Sequence, residues 1–179
     1  MRRRGAALRR VRTRRAGHGR YTPPHPGVRL ELRRRVRGWS PTRRELSSWA
    51  SAALGRRAGG RELGVCTVGI AESARLNARF RGRDRPTNVL SFAAAAVPAL
   101  PAPPLPAPPL GELVICPRVL RAEARAQRKT LRAHWAHLVV HGALHLVGYD
   151  HERAADARRM ERREVAVLRR LGFANPYRS

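Results

Sequence analysis

Five of the seven histidines in this chain fall between residues 134 and 151. Four of them, His134, His137, His141 and His145, are spaced by 3, 4 and 4 residues. That spacing is helical, so Leu131–Leu146 is predicted to form a helix with the four imidazoles roughly on one side. His141 and His145 stand at i and i+4, about one turn apart on one face. Two imidazoles need that separation to share a zinc ion, whose bonds to nitrogen measure about 2.0–2.1 Å. A third ligand must approach from another direction. Gly148-Tyr149-Asp150-His151 offers one, because Gly148 ends the helix and the chain turns back. The expected product is a one-ion site of three neutral nitrogens, His141, His145 and His151, with a position left open for water. On spacing alone His137 with His141 would serve as well. The residue after His141 is Gly142, where zinc peptidases of the H-E-x-x-H type carry their glutamate base. That absence argues against ordinary peptidase chemistry.

The rest of the chain divides into early strands and late helices. Val28–Val36 alternates apolar and charged residues and reads as a half-buried strand. Ser40-Pro41 opens a helix whose apolar face is Leu46, Trp49, Ala50 and Ala53, ended by Gly55 or by Gly59-Gly60. Glu62–Ile70, Asn88–Phe92 and Gly111–Cys116 are further strands, with a short helix over Glu72–Phe80. Leu120–Lys129, Leu131–Leu146 and Ala154–Leu171 are helices. Residues 93–110 read AAAAVPALPAPPLPAPPL; so many prolines exclude a helix or a central strand and leave an exposed spacer between two strands. The order of elements predicts an α+β fold rather than a doubly wound sheet.

Charge adds a constraint on partners. With 38 basic against 12 acidic residues the chain carries a formal charge of +26, and a single lysine, Lys129, stands among arginines. Cationic partners are excluded, and RNA, DNA or an anionic surface are favoured. Residues 1–26 hold nine arginines and no acid, and are expected to form a disordered basic arm ahead of a single domain over 27–179. No apolar run follows that arm, so no secretory signal is expected, nor is a spanning helix. Cys66 and Cys116 both lie in apolar runs, which fits buried, reduced thiols in a cytoplasmic protein.

The segment His141-Gly142-Ala143-Leu144-His145-Leu146-Val147-Gly148-Tyr149-Asp150-His151 resembles the H-G-x-L-H-L-x-G-Y-D-H signature of the YbeY family of bacterial rRNA maturation factors and endoribonucleases. Three further blocks are similar to that family. They are Leu76-Asn77 to Phe80-Arg81 with Pro86-Thr87-Asn88-Val89-Leu90-Ser91-Phe92, then Gly111–Cys116, then Leu171-Gly172-Phe173 to Pro176-Tyr177. The similarity covers about residues 28–177. It implies a small mixed β-sheet flanked by helices, of metal-dependent hydrolase type, with the metal site on a helix of the C-terminal half.

The resemblance further implies one zinc ion on His141, His145 and His151, and endonucleolytic cleavage of single-stranded RNA. The implied task is maturation of the 3′ end of small-subunit rRNA, within ribosome biogenesis and quality control. Ribosomal RNA and the small subunit with its proteins are the implied partners. Arg81 matches the family's functional arginine and would act beside His141 in catalysis by holding a phosphate. Asp150 is a candidate acceptor that orients a ligand imidazole. The general base is not identifiable, and either water or the RNA 2′-hydroxyl can be the attacking group. A rival reading keeps the metal as a structural element in a non-catalytic ribosome-assembly factor. Ala93 stands where the family has proline, and the arm before Val28 lies outside the resemblance.

Overall fold

The structure is a computed structural model that describes residues 25–94 and 107–178. The expected arm therefore lies almost wholly outside the described residues, as do residues 95–106 of the Ala/Pro-rich segment.

Four strands form one mixed sheet in the order β1-β2-β4-β3. They are β1 (Arg29–Arg34), β2 (Glu62–Thr67), β3 (Val89–Ala93) and β4 (Gly111–Ile115). The first three in spatial order, β1, β2 and β4, run parallel, and β3 pairs antiparallel with β4 from Val89↔Ile115 to Ala93↔Gly111. The Ala/Pro-rich segment thus joins two strands that are hydrogen-bonded neighbours. Five helices flank the sheet: α1 (Arg43–Leu54), α2 (Ile70–Arg81), α3 (Pro117–Ala126), α4 (Leu131–His145) and α5 (Ala154–Arg170).

Period-two alternation sorts the strand residues into two cores. Leu63, Val65, Leu113 and Ile115 face one side and pack with Leu46, Trp49, Trp135, Val139 and Leu168 from the helices. Cys66, Leu90, Val114 and Cys116 face the other side, where Leu76 of α2 and Val119 of α3 lie against them. Both cysteines are buried and free. The histidine-bearing α4 is the central helix: Trp135, Ala136, Val139, Val140 and Ala143 are fully enclosed. Fully burying a Val or Leu side chain is worth about 1.5–3 kcal/mol. The row of imidazoles is therefore held on a helix that the core fixes in place.

Two element boundaries differ from expectation. The first helix does not open on Ser40-Pro41. Thr42 is its N-cap, accepting from the Glu45 backbone N–H while the Glu45 side chain accepts from the Thr42 backbone N–H. This reciprocal pair satisfies two N–H groups that Pro41 would have left unbonded, and Arg34 takes the Ser40 hydroxyl and the Pro41 carbonyl instead. Helix α3 starts three residues earlier than expected, because Pro117 both ends β4 and sits at the helix's first position. Gly55 caps α1. No described helix is long and apolar enough to cross a membrane.

Candidate metal centre

Helix α4 ends at His145, and the chain then reverses through Leu146–Gly148. Gly148 has φ of +85°, a conformation costly for any residue with a Cβ, and the Tyr149 N–H returns to the Leu144 carbonyl at 3.1 Å. The reversal carries His151 back beside the helix end. Its ring stacks on that of His141 with centroids 5.6 Å apart, and lies 4.9 Å from that of His145. One nitrogen from each of the three imidazoles falls within 4.8 Å of the others, an arrangement positioned to bind a metal ion. The Nε2 atoms of His141 and His145 stand 3.2 Å apart. Two nitrogens bound at about 2.0–2.1 Å to one tetrahedral ion would be separated by about 3.3 Å, so the residues fit such an ion.

The other histidines of the row are engaged elsewhere. His134 is buried against Glu123 at 2.9 Å, and His137 Nε2 faces Glu164 at 3.3 Å. The structure therefore brings together His141, His145 and His151, and turns His137 to a carboxylate.

That carboxylate was not foreseen. Glu164, on α5, is fully buried. Its Oε1 lies 2.7 Å from His141 Nδ1, and its Oε2 accepts from the Tyr177 hydroxyl as well as facing His137. Burial alone would raise its pKa, but the hydrogen bonds from His137, His141 and Tyr177 outweigh burial and hold it down to about 2. An ionised Glu164 can only accept, so the proton of His141 sits on Nδ1 and Nε2 presents its lone pair to His145 and His151. The same carboxylate, with burial, pushes the Tyr177 phenol above its ordinary value.

His145 is pushed down to about 4, first by burial and then by the charges of His141 and His151, with Arg81 acting in the same direction. It is neutral at pH 7, the state a ligand nitrogen requires.

Asp150 does not reach an imidazole side chain. Its Oδ1 accepts from the backbone N–H of His151 at 2.6 Å, and that bond, more than anything else, holds its carboxyl below the ordinary value. Glu164 occupies the orienting position for which Asp150 was the candidate. One signal for it exists in the sequence. Met160, Glu164, Val167 and Leu168 share the apolar period of α5, so a carboxylate stands at a core position.

Arg81, the last residue of α2, is exposed and lines a cavity of about 280 Å³ together with Asn88, His137, His141, His145 and Tyr177. Its place depends on the turn after α2. Gly82 closes the helix with φ of +65°, and Asn77 Nδ2 donates to the Arg85 carbonyl at 2.7 Å. Ser73 exchanges hydrogen bonds with both the carbonyl and the N–H of Thr87. Asn88 then donates to Glu123, which also holds His134. These bonds tie the turn carrying Arg81 to the helix carrying the histidines.

Gly142 explains the missing peptidase glutamate. A Cβ there would stand 2.8 Å from Leu113 Cδ2 and 3.0 Å from Ser91 Oγ. Position 142 faces the sheet, and any side chain would drive α4 off β4 instead of reaching the cleft.

A family model described as Endoribonuclease YbeY matches residues 40–172. Among solved structures, the solution structure of TM1509 from Thermotoga maritima is similar at 24% identity and a TM-score of 0.48. The match covers 85% of this chain and 99% of that one.

Proposed function

Since the chain belongs to the YbeY family of endoribonucleases, we propose that it is a zinc-dependent nuclease specific for single-stranded RNA. Its task on this reading is to mature the 3′ end of small-subunit rRNA in the cytoplasm, in contact with the small subunit and its proteins. The observation that carries the reading is the convergence of three imidazole nitrogens with an exposed arginine in one cleft.

Zinc held by His141, His145 and His151 would supply Lewis-acid polarisation of a phosphate oxygen and lower the pKa of water at the site. The chain's own groups do the rest. Arg81 reaches the cleft from the opposite wall and donates to non-bridging phosphate oxygens, where its fixed charge offsets the negative charge that develops during phosphodiester cleavage. Glu164 keeps the His141 proton on Nδ1, so Nε2 stays directed at the ion. Gly142 leaves no carboxylate where peptidases place their base. The exposure of His151 and Arg81 keeps the site open to a long polymer, as a nuclease needs and a closed structural metal site does not.

The test is to map rRNA 3′ ends in cells depleted of the protein and rescued with wild type or with His145→Ala. The expected result is unprocessed small-subunit ends that only the wild type restores. Full rescue by His145→Ala would contradict the proposal.

A further inference from the structure

A second cavity, of about 920 Å³, adjoins the metal cleft. His137 lines both cavities, and its ring centroid is 6.2 Å from that of His141. The segment Asn175–Arg178 divides them: Tyr177 faces the metal cleft, whereas Asn175, Pro176 and Arg178 face the second cavity.

The chemistry of this cavity is unlike that of a structural void. Its floor is apolar, formed by Ala133, Leu168, Phe173 and Pro176. Its rim carries Arg128, Lys129, Arg132 and Arg178, and no carboxylate lines it. The cavity on the other face of the sheet differs, for there Glu72 and Glu112 stand among Arg33 and Arg35. Two of the rim cations are already engaged. Lys129 donates to Gln127 and to the Pro176 carbonyl, which fastens the dividing segment. Arg132 is paired with Glu45 at 2.8 Å and lies over the Phe173 ring. Arg128 and Arg178 are exposed at the mouth.

Two further features point to a ligand. Arg128 has φ of +52°, and it is the only non-glycine residue with positive φ among the described residues. An L-residue costs free energy there, and glycine would not. The backbone is strained at the position that sets an arginine on the rim. In addition, the Nδ1 of His137 is buried without a hydrogen-bond partner and belongs to a residue of the cavity wall. An apolar floor with a cationic, carboxylate-free rim suits a nucleotide: the base lies on the floor and the phosphate meets the arginines.

We propose that this cavity is a subsite for a nucleotide flanking the cleavage point of the bound RNA strand, with Arg128 and Arg178 holding its phosphate. The inference rests on the reading of the protein as a ribonuclease of single strands. It gives that nuclease a grip on the strand one step away from the metal.

The test is fluorescence anisotropy of a labelled oligouridine RNA with the metal-free protein, which separates binding from cleavage. Arg128→Gly with Arg178→Ala is compared with Arg29→Ala plus Arg56→Ala, two exposed arginines that line neither cavity. Glycine suits the backbone at 128, so the first pair should fold at least as well as the wild type. Removing the cavity pair should weaken binding about tenfold and flatten the salt dependence of log K by about 1.4, or about 0.7 per lost phosphate contact. The control pair should change affinity less than about twofold. Equal affinity and salt slope for the cavity pair and the control pair would overturn the subsite while leaving the nuclease reading intact. A wild-type protein that neither binds this RNA nor cleaves it when loaded with zinc would overturn both.

Discussion

At the scale of single residues, the site depends on one carboxylate that touches no solvent. Glu164 accepts from three groups, two of which lie on α4 and one on the segment after α5. Replacing it by glutamine keeps the volume but removes the charge that fixes the His141 tautomer. Glu164→Gln is expected to lower zinc affinity about 10–100-fold, as loss of a carboxylate behind a ligand imidazole commonly does. Competition against a chelator of known affinity measures this. An unchanged affinity in a folded variant would show that Glu164 only packs. The ligand trio itself was legible in the sequence, because helical spacing and a glycine turn are local patterns. Glu164 was not, because its partners stand 13, 23 and 27 residues away. Asp150 was the carboxylate next to a histidine in sequence, but its short side chain closes on the following backbone N–H.

At the scale of elements, a second carboxylate ties three segments together. Glu123 of α3 accepts from Asn88, just before β3, and from His134 of α4. Burial tends to raise its pKa, but the bonds from His134 and Asn88 prevail and lower it below 4.5. A carboxyl lowered in the folded state contributes stability above its unfolded pKa of about 4.5, and that contribution disappears as pH falls through the folded value. Glu123→Gln should therefore reduce stability at neutral pH and flatten the acid limb below about pH 4.5. Urea midpoints measured across that range test it, and an acid limb as steep as in the wild type would count against it. Element types were read correctly from periodicity, and their boundaries moved where caps intervened. The capping box on Thr42 was written in Thr42 and Glu45, but Pro41 drew attention as the stronger punctuation mark.

At the scale of the whole molecule, the three ligands join the core helix to the turn behind it. An ion that binds them favours the folded chain alone. Zinc at about 100 times its Kd should stabilise the protein by about 2.7 kcal/mol, and His141→Ala should remove that gain. Thermal unfolding with and without zinc reads this directly, and an equal gain in the variant would place the ion elsewhere. The sheet order was not legible in the sequence. The β4 strand inserts between β2 and β3, and nothing local in Gly111–Ile115 announces that pairing. The charge of +26 narrowed the partner to a polyanion without locating a surface. The folded molecule places a carboxylate-free basic rim next to the histidine cleft, whereas the opposite sheet face balances its arginines with Glu72 and Glu112.

The central claim is that His141, His145 and His151 hold the ion on which RNA cleavage depends. Its most direct test is cleavage of a single-stranded RNA spanning the 3′ end of small-subunit rRNA. The same preparation is assayed as purified, after stripping by a chelator, and after return of one equivalent of zinc. The account predicts that cleavage is lost on stripping and restored by zinc in the wild type, and absent in His145→Ala throughout. Undiminished cleavage by the stripped protein would contradict it.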